Sequence, residues 1–124
     1  MARKKNLTYE QRMLAELQKL PNPIDDKRHD LFIYFVNERA RSNQTRFAHI
    51  IEARHELKPN DISLIRKRIK TAVFRKDKER SETFNYYIKR FSYKEEYIKI
   101  SVKIEQSKPH LAIVKTIFIT KNVK

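Results

Sequence analysis

The sequence holds no cysteine and no glycine among its 124 residues. Without cysteine there is no disulfide framework, no thiolate zinc site and no cysteine nucleophile, which fits a reducing, cytoplasmic compartment. Ordinary usage of about 7% would put about nine glycines in a chain of this length. Their absence excludes a GxGxxG fingerprint and a Walker-type loop, since both need glycine where backbone closes on phosphate. A nucleotide-cofactor enzyme is therefore not expected, and turns must rest on Asn, Asp, Ser, Pro and Lys. No apolar run reaches the roughly 20 residues of a membrane span. The basic start Met1-Ala-Arg-Lys-Lys5 is followed by no apolar signal core, so no secretion signal is expected.

What is abundant is positive charge. Lys and Arg number 29 against 15 Asp and Glu, a formal net charge of +14. Such an excess favours polyanions, nucleic acid first among them, through long-range attraction and counterion release. An acidic protein partner, an antitoxin for instance, is the alternative use of the charge; solubility alone is the plainest explanation. No membrane partner is expected.

Residues 1–24 read as an N-terminal helical extension and residues 25–124 as a single α+β domain. Thr8 is a helix cap, and Tyr9, Met13, Leu14, Leu17 and Leu20 recur at helical spacing until Pro21-Asn-Pro23. The simpler expectation is that this helix packs on the body; a docking arm is the other. Leu31–Val36 is continuously apolar and is assigned to a buried helix, although its aromatic and β-branched content also suits a strand. Ser42 or Asn43 caps a further helix to about Leu57, with Phe47, Ile50, Ile51 and Arg54 on one stripe. Asn60 caps the next, where Ile62, Ile65, Ile69 and Val73 repeat and Arg66, Lys67, Arg68 and Lys70 cover the outside. The stretch after about Phe74 reads as an exposed loop.

From Thr83 the period falls to two. Phe84, Tyr86 and Ile88 share a face, and Ile98, Ile100, Val102 and Ile104 alternate with Lys99, Ser101 and Lys103. In Leu111–Thr120, Leu111, Ile113, Ile117 and Ile119 share one face, interrupted by Lys115. Ala112, Val114, Thr116 and Phe118 share the other, so this is expected to be a central strand. Ser92–Glu95 and Gln106–Pro109 are hairpin-sized. The expected fold is α+β, with N-terminal helices followed by a three- to four-stranded antiparallel β-meander.

Three groups of residues can carry chemistry. His49, Arg54 and His55 combine two proton carriers with a cation, which suits RNA cleavage by 2′-OH attack. On an ideal helix His49 and His55 point about 120° apart, so one pocket takes both only if the helix ends before His55. Their spacing does not suit a metal, and no cofactor is expected. Lys115, with Thr116 beside it, needs solvent or a phosphate for its head. Tyr86, Tyr87, Lys89, Arg90, Phe91, Tyr93 and Tyr97 interleave rings with cations, a pattern that can stack bases and neutralise phosphates. Lys99 and Lys103 extend it.

The order His49-Ile…Arg54-His55, a helix at Asp61–Lys70, then strands ending Ala112-Ile-Val-Lys-Thr-Ile-Phe-Ile-Thr120 resembles the phage-associated barnase–EndoU–colicin–RelE-like nuclease domains. The resemblance covers about residues 30–124. It implies a small metal-independent ribonuclease of mobile-element or toxin type, with a helical start and a curved antiparallel sheet. It also implies that Arg54 and Lys115 hold phosphate, His49 or His55 moves protons, and Thr116 orients the phosphate. The alternative is a non-enzymatic nucleic-acid-binding protein whose segments 44–57 and 60–73 are similar to a helix-turn-helix, with Arg66, Arg68 and Lys70 on the recognition helix.

Overall fold

The computed structural model describes residues 8–35, 39–41, 44–45, 50–51, 56–90, 95–121 and 123. Helix α1 (Tyr9–Lys19) begins at Thr8, whose side chain accepts from the Gln11 N–H while the Gln11 side chain accepts from Thr8 N–H. This reciprocal cap satisfies two backbone donors that the first turn leaves open. Met13 and Leu17 are buried in the same core as the sheet, so α1 packs on the body. Leu14, expected on the same stripe, is 36% exposed. Tyr9 fixes the helix further, its hydroxyl donating to the Leu57 carbonyl at 2.7 Å.

The run from Leu31 is a strand and not a helix. Strands β1 (Ile24–Asp26) and β2 (Leu31–Tyr34) form an antiparallel hairpin. Asp30 adopts the left-handed conformation, φ 56°, that Asp tolerates in turns, so it closes a hairpin in front of the run and starts no helix. Leu31 and Ile33 face the core, while Phe32 and Tyr34 face away from it. An unbroken apolar run is what results when both faces carry large side chains, and here the β-branched and aromatic content decides.

The next helix also starts later than expected. Gln44–Thr45 is strand β4, paired with β3 (Arg39–Arg41). Ile50 and Ile51 are helical and buried. The proposed caps Ser42 and Asn43, and Phe47 on the stripe, lie outside the described residues.

Helix α2 (Pro59–Arg68) is capped by Lys58, not Asn60. Pro59 takes the first helical position, where its missing N–H costs nothing, and Asp61 accepts from Lys58 N–H at 2.8 Å. Ile62, Ile65 and Ile69 are buried and Arg66, Lys67, Arg68 and Lys70 exposed, as the spacing implies. Val73 breaks the expectation. A 3₁₀ turn (Ile69–Thr71) ends the helix, and Val73 opens an edge strand, β5 (Val73–Lys76), at 41% exposure. The supposed loop after Phe74 therefore belongs partly to the sheet.

Strands β6 (Thr83–Lys89), β7 (Tyr97–Glu105) and β8 (Lys108–Thr120) complete a six-stranded sheet of order β1-β2-β8-β7-β6-β5. β6, β7 and β8 form the expected antiparallel meander, which β5 extends at one edge, but β2 adds to it parallel to β8, and β1 lies outside β2. The chain is a mixed helix-and-sheet fold in which the N-terminal third supplies strands as well as helix. β8 is central, as its two apolar faces imply. The two sheet edges come together. Asp26 on β1 accepts from Tyr86 on β6, Arg28 donates to the Ala72 carbonyl just before β5 at 2.7 Å, and the His29 ring stacks on Phe74 of β5 at 3.9 Å. The sheet therefore curls, with its inner face and the helices enclosing one core.

Candidate nucleic-acid interface

The outward face of the sheet is ordered by strand register. Residues that pair across strands fall into rows. One row holds Lys89, Tyr97 and Thr120; the next Val73, Tyr87, Lys99 and Phe118; the third Arg75, Asn85, Ser101 and Thr116; the fourth Thr83, Lys103 and Ile113. These rows carry the cations Arg75, Lys89, Lys99 and Lys103 and no carboxylate.

The second row is built around Lys99. Its ammonium lies 5.8 Å from the centre of the Tyr87 ring and 5.1 Å from that of Phe118, so two aromatic faces seat one cation. Tyr87 itself is only 2% exposed. Its ring therefore supports Lys99 and is covered against a stacked base, which corrects its expected role.

Below it, Ser101 Oγ donates to Asn85 Oδ1 at 2.7 Å, and Asn85 Nδ2 donates to Asp77 Oδ2 at 3.1 Å. Asp77 Oδ1 accepts from the N–H groups of Glu79 and Arg80 at 2.9 and 2.8 Å. The Asn85 bond first, then those two N–H groups, hold the Asp77 carboxyl down to about 2. The network fixes the loop after β5 against the sheet.

A cleft of about 220 Å³ opens where the first two rows meet the end of α2. Arg68, Thr71, Val73, Tyr87, Lys89 and Tyr97 are among the residues that line it. It joins the helical basic run to the sheet cations, which the sequence showed only as separate groups. Tyr97 is half-buried, and Arg68 and Lys89 are exposed. Arg66, Lys67 and Lys70 are exposed nearby in the chain.

Lys115 stands elsewhere, and β8 explains why it interrupts an apolar face. Ser101 pairs with Thr116 but Val102 pairs with Val114, so Lys115 is the extra residue of a β-bulge. Alternation slips by one at that point. Ala112, Val114 and Ile117 share the core face, while Ile113, Thr116 and Phe118 face outward. That differs from the face assignment made by strict alternation. Lys115 and Lys103 line a second cleft of about 220 Å³ together with Glu82, Glu105 and Gln106, where charges of both signs meet.

His49, Arg54 and His55 lie outside the described residues, as do Phe91 and Tyr93. Arg90 is not a phosphate ligand: it is buried and bonded to Asp61 and Glu96. Tyr86 faces the core, where burial first and the Asp26 carboxylate second push its phenol well above the usual range. Arg75, Phe118 and Val73 were missed; only the register of β5 and β8 assigns them to this face. No helix among the described residues is long and apolar enough to cross a membrane. Comparison with family models, with curated proteins and with solved structures finds no match to this chain.

Proposed function

We propose that this protein binds nucleic acid along the outward face of its sheet. The observation that carries the reading is the cleft lined by Arg68, Lys89 and Tyr97, beside rows whose four cations meet one carboxylate, Asp77 on Asn85. Exposed guanidinium and ammonium groups neutralise phosphates, and a ring beside them offers an apolar face to a base. The helix-turn-helix alternative has less support. A recognition helix reads bases with its N-terminal residues. That end of α2 carries the buried Asp61 and Ile62, and its cations lie at the C-terminal end.

RNA cleavage by 2′-OH attack is a second proposal, favoured by one observation. A bulge at Lys115, next to the outward Thr116, re-aims a cation beside a hydroxyl, as bulges beside active sites do. Incubation with single-stranded RNA in EDTA, followed by a search for cyclic-phosphate ends, tests it.

Binding is tested by fluorescence anisotropy with labelled RNA and DNA. Affinity is expected to fall steeply between about 50 and about 200 mM salt. Arg68→Gln with Lys89→Gln is expected to lower the salt slope by about two. An affinity that does not change with salt, or tighter capture of an acidic protein than of any nucleic acid, overturns the reading.

A further inference from the structure

We infer that the ligand of this face is a single strand, held at two stacking ends, the second being Phe32. This rests on the nucleic-acid reading and adds strandedness, length and a new residue to it. Phe32 is 42% exposed and faces outward from β2, paired to Leu111 of β8. It is a ring the core does not use, on the same sheet face as the cleft. Tyr34, also outward, pairs with Ile113, and Ile113 pairs with Lys103. A continuous path therefore runs from Arg68 and Lys89 past Tyr97, Lys99 and Lys103 to Tyr34 and Phe32. Along β7 the outward residues Tyr97, Lys99, Ser101 and Lys103 follow at every second position, about 6.7 Å apart. The cations thus lie between the rings, where a backbone crossing from one ring to the other presents its phosphates.

A duplex can offer such a surface only its phosphates. Its bases are stacked within the helix, and a sheet face with rings at its ends enters neither groove as a helix or ribbon does. Unpaired bases expose the π-faces that Tyr97 and Phe32 accept. Register gives the length. Tyr97 pairs with Thr120 and Phe32 with Leu111, nine positions apart on β8 with one bulged residue. That is about 26 Å along the strand and, with two strand spacings across, about 28 Å in all for a flat sheet. A stacked single strand rising about 3.4 Å per nucleotide covers it with about eight nucleotides, an extended one with fewer.

The test compares the intact protein with Phe32→Ala and Phe32→Trp on labelled single strands of about four and about twelve nucleotides and on a duplex of the longer length. Wild type is expected to bind the long strand at least about tenfold more tightly than the short one and than the duplex. Phe32→Ala is expected to lose about tenfold on the long strand and nothing on the short one, with Phe32→Trp retaining binding. Circular dichroism melts confirm that the variants fold. Equal affinity for duplex and single strand, or no effect of Phe32→Ala on the long strand while Arg68→Gln with Lys89→Gln still weakens it, overturns the two-ended single-strand site and leaves the nucleic-acid reading standing. Absence of salt-sensitive binding by wild type to any probe overturns both.

Discussion

The guanidinium of Arg90 grips both carboxylate oxygens of Asp61, at 2.9 and 2.8 Å, with the two side chains each 5% exposed. Asp61 also receives the N–H of Lys58 at the start of α2, and Arg90 reaches Glu96 at 3.1 Å. One buried cation therefore ties the first turn of α2 to the end of β6 and the approach to β7. The far end of the same helix carries Arg68 to the cleft, so the pair sets the position of a proposed ligand contact through the rigid body of the helix.

Arg90→Met removes the cation and leaves Asp61 buried with one backbone donor. A loss of about 3–5 kcal/mol is expected in denaturant melts. Adding Asp61→Leu removes the stranded charge and is expected to restore most of that, short of about 1 kcal/mol for the lost cap. If the double variant is no more stable than Arg90→Met, the cost lies in packing and not in the unpaired carboxylate.

Tyr86 joins the two edges of the curled sheet through Asp26, which also pairs with His29 at 2.7 Å. Asp26 is 1% exposed and its Oδ1 has no partner among the described residues. Tyr86→Phe takes away a donor to a buried carboxylate and is expected to cost about 1.5–3 kcal/mol at neutral pH. It is also expected to change the alkaline limb. A phenol whose folded pKa is raised contributes stability that is present below about pH 10 and lost as pH rises above it. Wild type should lose stability there more steeply than Tyr86→Phe; parallel alkaline limbs contradict the assignment.

For Asp77 the sign is opposite. Its carboxyl is lowered to about 2, so its contribution is present above about pH 4 and lost as pH falls toward 2. Asp77→Asn is expected to flatten the stability profile in that window only. Hydrogen exchange at the Glu79 and Arg80 amides, which donate to Asp77, should rise in the variant.

Much of the core was legible because it obeys one period at a time. The Thr8 cap, the Ile62/Ile65/Ile69 stripe and the alternation of Ile98, Ile100 and Val102 each announce their element locally. Leu31–Tyr34 was ambiguous because both of its faces carry large side chains, which erases the alternation that marks a strand. The start of α2 was misplaced because Asp61 works backward to Lys58, while Asn60 is only a good cap in general. The outward face was half legible. Lys89, Lys99 and Lys103 lie on it by simple alternation, but Arg75, Phe118 and Phe32 join them only through pairing between distant strands, which no local pattern encodes.

The basic run offers a cleaner separation of binding from folding. Arg66, Lys67, Arg68 and Lys70 are exposed, and the buried residues of that segment are Asp61, Ile62, Ile65 and Ile69. Replacing the four cations with Gln is expected to change stability by no more than about 0.5 kcal/mol. Nucleic-acid affinity should fall, with a salt slope lowered by up to about four. An unfolded variant would mean that one of these side chains supports the helix.

Lys115 carries the sharpest structural prediction, because even its deletion should leave the faces of β8 in place. Its side chain is half-buried on a bulge, which lets Val114 and Ile117 share the core face although they lie three positions apart. Lys115→Ala keeps the extra residue and is expected to cost about 1 kcal/mol or less. Deleting Lys115 makes Val114 and Thr116 neighbours, so Thr116 still pairs with Ser101 and Val114 with Val102, with Thr116 outward and Ile117 in the core. The deletion removes only the local twist of the bulge and is expected to cost about 2 kcal/mol or less. Chemical denaturation of the two variants decides it. A loss of about 3 kcal/mol or more on deletion alone would mean that the curl of the sheet depends on the bulge.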